Sequence, residues 1–203
     1  CCTSSLSYAV LSLYLSSKNN DDFIRQVYRL FSSFNQLLEI DFPVDYVFKK
    51  NRVMKFSGDL AHDSRIECFR TLPLLLASNG SYERRIFSTG YLRDLMAVSL
   101  TPPLLMENIK INDSYYNSGY PRVEATEDAL FRLNIDTIVT VNIRGHMKNV
   151  VDTRMINFYK QYLDHLRHSH DDDDHGVGGP NSITIEVDES LTDIRDITAL
   201  SGR

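Results

Sequence analysis

The sequence predicts an α/β fold, a mostly parallel sheet flanked by helices. Three stretches carry that expectation. Thr137 to Ile143 is a β-branched run suited to a strand covered on both faces. Glu124 to Leu133 ahead of it places Ala125, Ala129, Leu130 and Leu133 on one helical face, so a helix feeds a strand as in half of a βαβ unit. The first 40 residues repeat their apolar side chains at helical spacing, with no strand alternation.

Taken in order, Leu6, Ala9, Val10, Leu13 and Tyr14 form the first helical stripe, behind a Thr3-Ser4-Ser5 cluster that can cap a helix. Ser16 to Asn20 interrupts it. Asp21 or Asp22 then caps a second helix, in which Phe23, Ile24, Val27, Tyr28, Phe31, Phe34, Leu37 and Leu38 line a broad apolar face. Residues 41–71, with Pro43, Gly58 and many charges, read as a loop with short helical turns. Leu72 to Ala77 is an apolar run ended by Asn79-Gly80, a strong hairpin signal, and Arg84 to Ser88 is the returning strand. Gly90 ends it, and Tyr91 to Val98 reads as a short helix.

A second hairpin follows. Ile109 and Ile111 face Tyr115 and Tyr116 across the polar pair Asn112-Asp113, and Asn117-Ser118-Gly119 offers residues that tolerate left-handed backbone angles. Beyond the strand at 137–143, Val150 to Leu166 has Met155, Phe158, Tyr159, Tyr162, Leu163 and Leu166 at helical intervals. Residues 167–181 carry almost no apolar content and read as a mobile acidic, histidine-rich loop. Ser182 to Val187 alternates as a strand, and Thr192 to Leu200 suggests a last short helix. The expected organisation is a single domain over 1–203, with its core in 1–166, the loop at 167–181 and a closing strand and helix in 182–203.

Composition sets limits on function. The chain has 203 residues, 42% hydrophobic and 24% charged, enough for one self-sufficient core. A net charge of -5 indicates neither a nucleic-acid groove nor a polybasic membrane patch. Cys1, Cys2 and Cys68 do not make a disulfide framework, which fits free thiols in a reducing, cytoplasmic setting. No run reaches the length of a membrane span. The chain does not begin with Met, so it is expected to be part of something longer. His165, His168, His170 and His175 surround Asp171 to Asp174, a plausible set of metal ligands. With no scaffold visible to set their geometry, a solvated loop is the preferred reading, and no metal or other cofactor is expected.

Residues 95–143 carry a resemblance. Ala97, Ser99, Thr101, Pro102, Pro103 and Leu104 lead into a hairpin with a Tyr, a turn, a helix and a hydrophobic strand. That order resembles the second half of the patatin-like phospholipases. Asp41-Phe42-Pro43-Val44 and Tyr91-Leu92-Arg93 make the neuropathy target esterase branch the nearest in look, over roughly residues 2 to 143. The resemblance implies a three-layer α/β fold and a lipid acyl hydrolase of the lysophospholipase type, with a Ser on a GxSxG elbow and an Asp base from Asp-Gly-Gly. It places Ser4 as the nucleophile, with Cys2 and Leu6 where the family has the flanking glycines. Asn117 stands where the family has its Asp base, with Gly119 in the same turn. The family's first strand and Gly-rich loop would precede Cys1.

These departures bear on chemistry. A carboxamide cannot take the serine proton at neutral pH, and loss of a positioned base costs about 10² to 10⁴ in rate. Asp113 cannot substitute, because four strand positions displace it by roughly 13 Å. The expected function is therefore a patatin-like domain that has kept the framework and a lipid-shaped pocket and lost turnover. The alternatives are an active lysophospholipase completed by a longer protein, acting on a lipid or lysophospholipid at a membrane surface, and a partner-binding module using an exposed sheet edge. Cys2 as a nucleophile at a helix start is a minor alternative.

Overall fold

The computed structural model describes residues 2, 3, 5–37, 49–61, 63–79, 83–103, 105–118, 130, 135, 137–145 and 181–189. The chain divides into two compact units, Cys1–Ala129 and Leu130–Arg203. The fold is mixed α/β.

In the first unit, strand β1 (Cys2–Thr3) leads into helix α1 (Ser5–Ser16), and α2 (Asn20–Leu37) follows. Tyr8, Ala9 and Leu13 of α1 are fully buried, at the spacing that the sequence marked. The start of α2 differs in detail from expectation. Asn19, not Asp21 or Asp22, is its cap: Asn19 Oδ1 accepts the Asp22 amide at 2.9 Å, while the Asp22 carboxylate accepts the Lys18 amide at 3.1 Å. The Asn19 carboxamide and the Asp22 carboxylate thus each satisfy one backbone donor around the start of α2, with Asp22 in the first turn and not at the cap.

Residues 50–61 correct the sequence reading. They form a three-turn helix, α3 (Lys50–Ala61), whereas residues 63–71 are irregular around a 3₁₀ turn at Ile66–Cys68, as expected, and residues 41–48 lie outside the described residues. Gly58 and the charges suggested a loop, yet Val53, Ser57, Leu60 and Ala61 lie on one buried face. Burial of such a face is worth more than the roughly 1 kcal/mol that one glycine costs a helix. The Lys50 ammonium also pairs with Glu107.

The central strand is β2 (Leu74–Asn79). Strand β3 (Arg84–Phe87) pairs with it antiparallel, from Leu75↔Phe87 to Ser78↔Arg84, as the expected hairpin requires; Asn79 itself belongs to β2, its amide donating to the Glu83 carbonyl at 2.9 Å, and Gly80 lies outside the described residues. Helix α4 (Leu92–Ser99) is buried nearly all round through Leu92, Leu95, Met96, Ala97 and Val98. Gly90 before it has φ +136°, a conformation that L side chains avoid. The second hairpin is β4 (Ile109–Ile111) and β5 (Ser114–Asn117), turned at Asn112 with φ 54°. Leu75, Ala77, Phe87, Ile109 and Tyr116 share one core with α1, α3 and α4. The Arg85 guanidinium closes that face, donating to Tyr116 Oη at 2.8 Å. The sheet is mixed: β1–β2 is parallel, and the two hairpins supply the antiparallel pairings.

In the second unit, β6 (Thr137–Gly145) and β7 (Asn181–Glu189) pair in parallel over nine residues, from Thr137↔Asn181 to Gly145↔Glu189. Both strands were legible as β-branched or alternating runs, and each extends two residues beyond its sequence-read end. Ile138 is buried, whereas Val139, Ile183 and Ile185 are exposed. The helices expected at 150–166 and 192–200, the histidine and aspartate loop, and all but Leu130 of the helix at 124–133 lie outside the described residues.

Candidate functional site

The candidate site forms along one edge of β2. That strand has two edges, and β3 takes one of them over Leu75 to Ser78. The other edge is shared: β1 takes its first half, Cys2↔Leu74 and Thr3↔Leu75, and β5 takes its second, Ser78↔Asn117 and Asn79↔Tyr116. Because β1 runs parallel to β2 and β5 antiparallel, the carboxyl ends of β1 and β5 point toward each other. Thr3 and Asn117 are three β2 residues apart, about 10 Å along the strand. Residues that leave β1 and β5 therefore leave from the same place.

On the β1 side the chain turns directly into α1. Ser5 adopts φ 49°, the left-handed region that a non-glycine residue avoids at a cost of about 1–2 kcal/mol. The expected strain at the strand-to-helix elbow thus falls on Ser5. Ser4, the candidate nucleophile, lies outside the described residues, as does Gly119. Leu6, a branched residue at the start of α1, packs partly buried against the α1, α3 and α4 core. A branched residue is accommodated there because it belongs to the helix stripe.

Cys2 is corrected by its surroundings. A helix start would lower a thiol pKa, but Cys2 belongs to β1, and burial pushes its thiol up to about 11. At neutral pH it is a protonated, weakly nucleophilic side chain. Cys68, by contrast, is exposed.

On the β5 side, Asn117 is only 6% exposed, and its Nδ2 donates to Asn108 Oδ1 at 3.0 Å. Asn108 is a residue that the sequence reading did not single out. Its signal was present all the same: a two-residue turn at 112–113 that pairs Ile109 with Tyr116 sets residue 108 across from residue 117. The exit from β5 is held by the Ser118 amide, which donates to the Thr101 carbonyl at 2.9 Å. Thr101 Oγ1 in turn donates to the Ala97 carbonyl at 2.8 Å, and Ser99 Oγ to that of Met96 at 2.8 Å. The hydroxyl-rich segment after α4 is therefore a strut that sets where β5 ends, with both hydroxyls spent on the helix's last carbonyls.

Asp113 sits in the exposed β4–β5 turn, at the far end of β5 from Asn117. Among the described residues, no group of three or more His, Cys, Asp or Glu side chains is arranged to hold a metal ion. No described helix is long and apolar enough to cross a membrane. Asn117, buried and bonded to the half-buried Asn108, brings the shared β2 edge a carboxamide and not a carboxylate. Compared with models of known protein families and with curated proteins, the chain matches none.

Proposed function

We propose that this chain is a patatin-like domain of the lysophospholipase type that keeps a lipid-binding framework without hydrolytic turnover. One observation supports the reading: β1 and β5 end toward each other on one edge of β2, with Asn117, the residue that the resemblance sets in the place of the family's Asp base, buried and hydrogen-bonded to Asn108. Proton abstraction from a serine requires a basic acceptor within hydrogen-bonding reach, and a carboxamide is not one.

A fluorophosphonate probe tests it on the full chain. The expected result is no covalent labelling above that of the Ser4→Ala variant. Labelling that Ser4→Ala abolishes, with release of fatty acid from a lysophospholipid, would establish an active hydrolase and end the proposal. Retained lipid binding, measured by displacement of a fluorescent fatty acid, separates the framework reading from a pure interaction module using the sheet edge.

A further inference from the structure

At the opposite end of α1 from the elbow, a cleft of about 320 Å³ opens between the α1–α2 junction and the segment that leads into β2. Twelve helical residues put it about 17 Å from Ser5, so it is separate from the site above. Tyr14, Phe23 and Phe69 supply aromatic walls, the first two meeting edge to face with centroids 5.4 Å apart. Arg70, Asn20 and Thr71 supply polar groups at its rim.

The charge balance of this cleft is one-sided. Among the described residues its lining contains one cation, Arg70, and no carboxylate. Asp22, in the first turn of α2, is committed to neighbouring groups, accepting from Lys18 N at 3.1 Å and Gln26 Nε2 at 3.1 Å. Ser17 Oγ is also committed, donating to the Leu13 carbonyl and accepting from Gln26. Among the described residues Arg70 has no ion-pair or hydrogen-bond partner, whereas Arg65, Arg85 and Arg93 each have one. A planar guanidinium with its donors free beside aromatic faces is suited to a forked contact with a phosphate or carboxylate. The volume is at the small end for ligand pockets.

We infer that this cleft is a second binding site, for a small phosphate monoester or carboxylate carried on an aromatic or short apolar body, with Arg70 on the anion and Tyr14, Phe23 and Phe69 around the body. It stands independently of the hydrolase-framework reading.

Phenyl phosphate, inorganic phosphate and benzyl alcohol are the probes, titrated into the full chain and followed by backbone NMR shifts. Phenyl phosphate is expected to bind saturably in the millimolar range or tighter, moving signals from residues 14–23 and 69–71, with each fragment of it weaker. Arg70→Gln should weaken phenyl phosphate about tenfold or more, in line with loss of a charge-assisted forked contact, while Arg84→Gln, on exposed β3, should not. Tyr14→Ala should weaken phenyl phosphate and leave inorganic phosphate unchanged. Absence of saturable binding, or an Arg70→Gln affinity equal to that of the parent chain, overturns the inference. Vesicles containing phosphatidic acid provide the second arm. If they displace phenyl phosphate the group is a lipid headgroup, and if only soluble monoesters do so it is a free metabolite. If neither displaces it, the site is not one for this chemistry.

Discussion

Asn117 Nδ2 donates to Asn108 Oδ1 across the last pair of the β4–β5 hairpin, at 3.0 Å, with Asn117 buried at the end of its strand. A carboxamide in this position is satisfied as it stands. Asn108→Ala should therefore lower stability by about 1 kcal/mol, the usual cost of removing one partner of a partly buried hydrogen bond. Urea denaturation checks this as a lower midpoint at unchanged slope. Asn117→Asp should fold and still fail to label with a fluorophosphonate.

The left-handed φ of Ser5 stores strain that glycine would not feel. Ser5→Gly should raise stability by up to about 1 kcal/mol, reduced by the extra freedom of glycine in the unfolded chain. Ser5→Val should lower it by more than that, since a β-branched residue is worst suited to this region. If both variants melt with the parent chain, the elbow is not strained.

Ser57 Oγ is buried on α3 with no hydrogen-bond partner among the described residues. Removing an unsatisfied hydroxyl from a core, and placing the best helix former in mid-helix, both favour the folded state. Ser57→Ala should gain about 1 kcal/mol, read as a higher urea midpoint. A loss of stability would mean that the hydroxyl has a partner after all.

The buried Cys2 thiol makes stability depend on alkaline pH. Its folded pKa is raised from 9.0 to about 11, so above pH 9 the unfolded chain releases the thiol proton first and binds fewer protons than the folded one. Stability is then full below pH 9 and falls between pH 9 and 11, by on the order of 1–2 kcal/mol after allowing for partial solvent contact. Burial moves the Tyr8 phenol in the same direction. Denaturant midpoints across this range, compared with those of Cys2→Ala, measure the thiol's share. At neutral pH iodoacetamide should modify the exposed Cys68 well before Cys2.

Local chemistry made much of this fold legible. Asn112-Asp113 turns the β4–β5 hairpin, and the apolar run at 72–77 marks β2, because turn residues and strand patterning act over a few neighbours. The α1 stripe and the strands at 137 and 181 were readable for the same reason. Helix α3 was not, because its charged sequence with Gly58 is helical only by virtue of what Val53 and Leu60 bury against.

By itself the sequence determined the kind of element at most of these places, and that position 117 carries an amide. Only the tertiary structure decided that β1 and β5 meet on one edge of β2, that the backbone strain sits on Ser5, that Leu6 belongs to the core, and that burial silences Cys2. Strand partners, burial and desolvation arise between residues far apart in the chain, which no local pattern encodes.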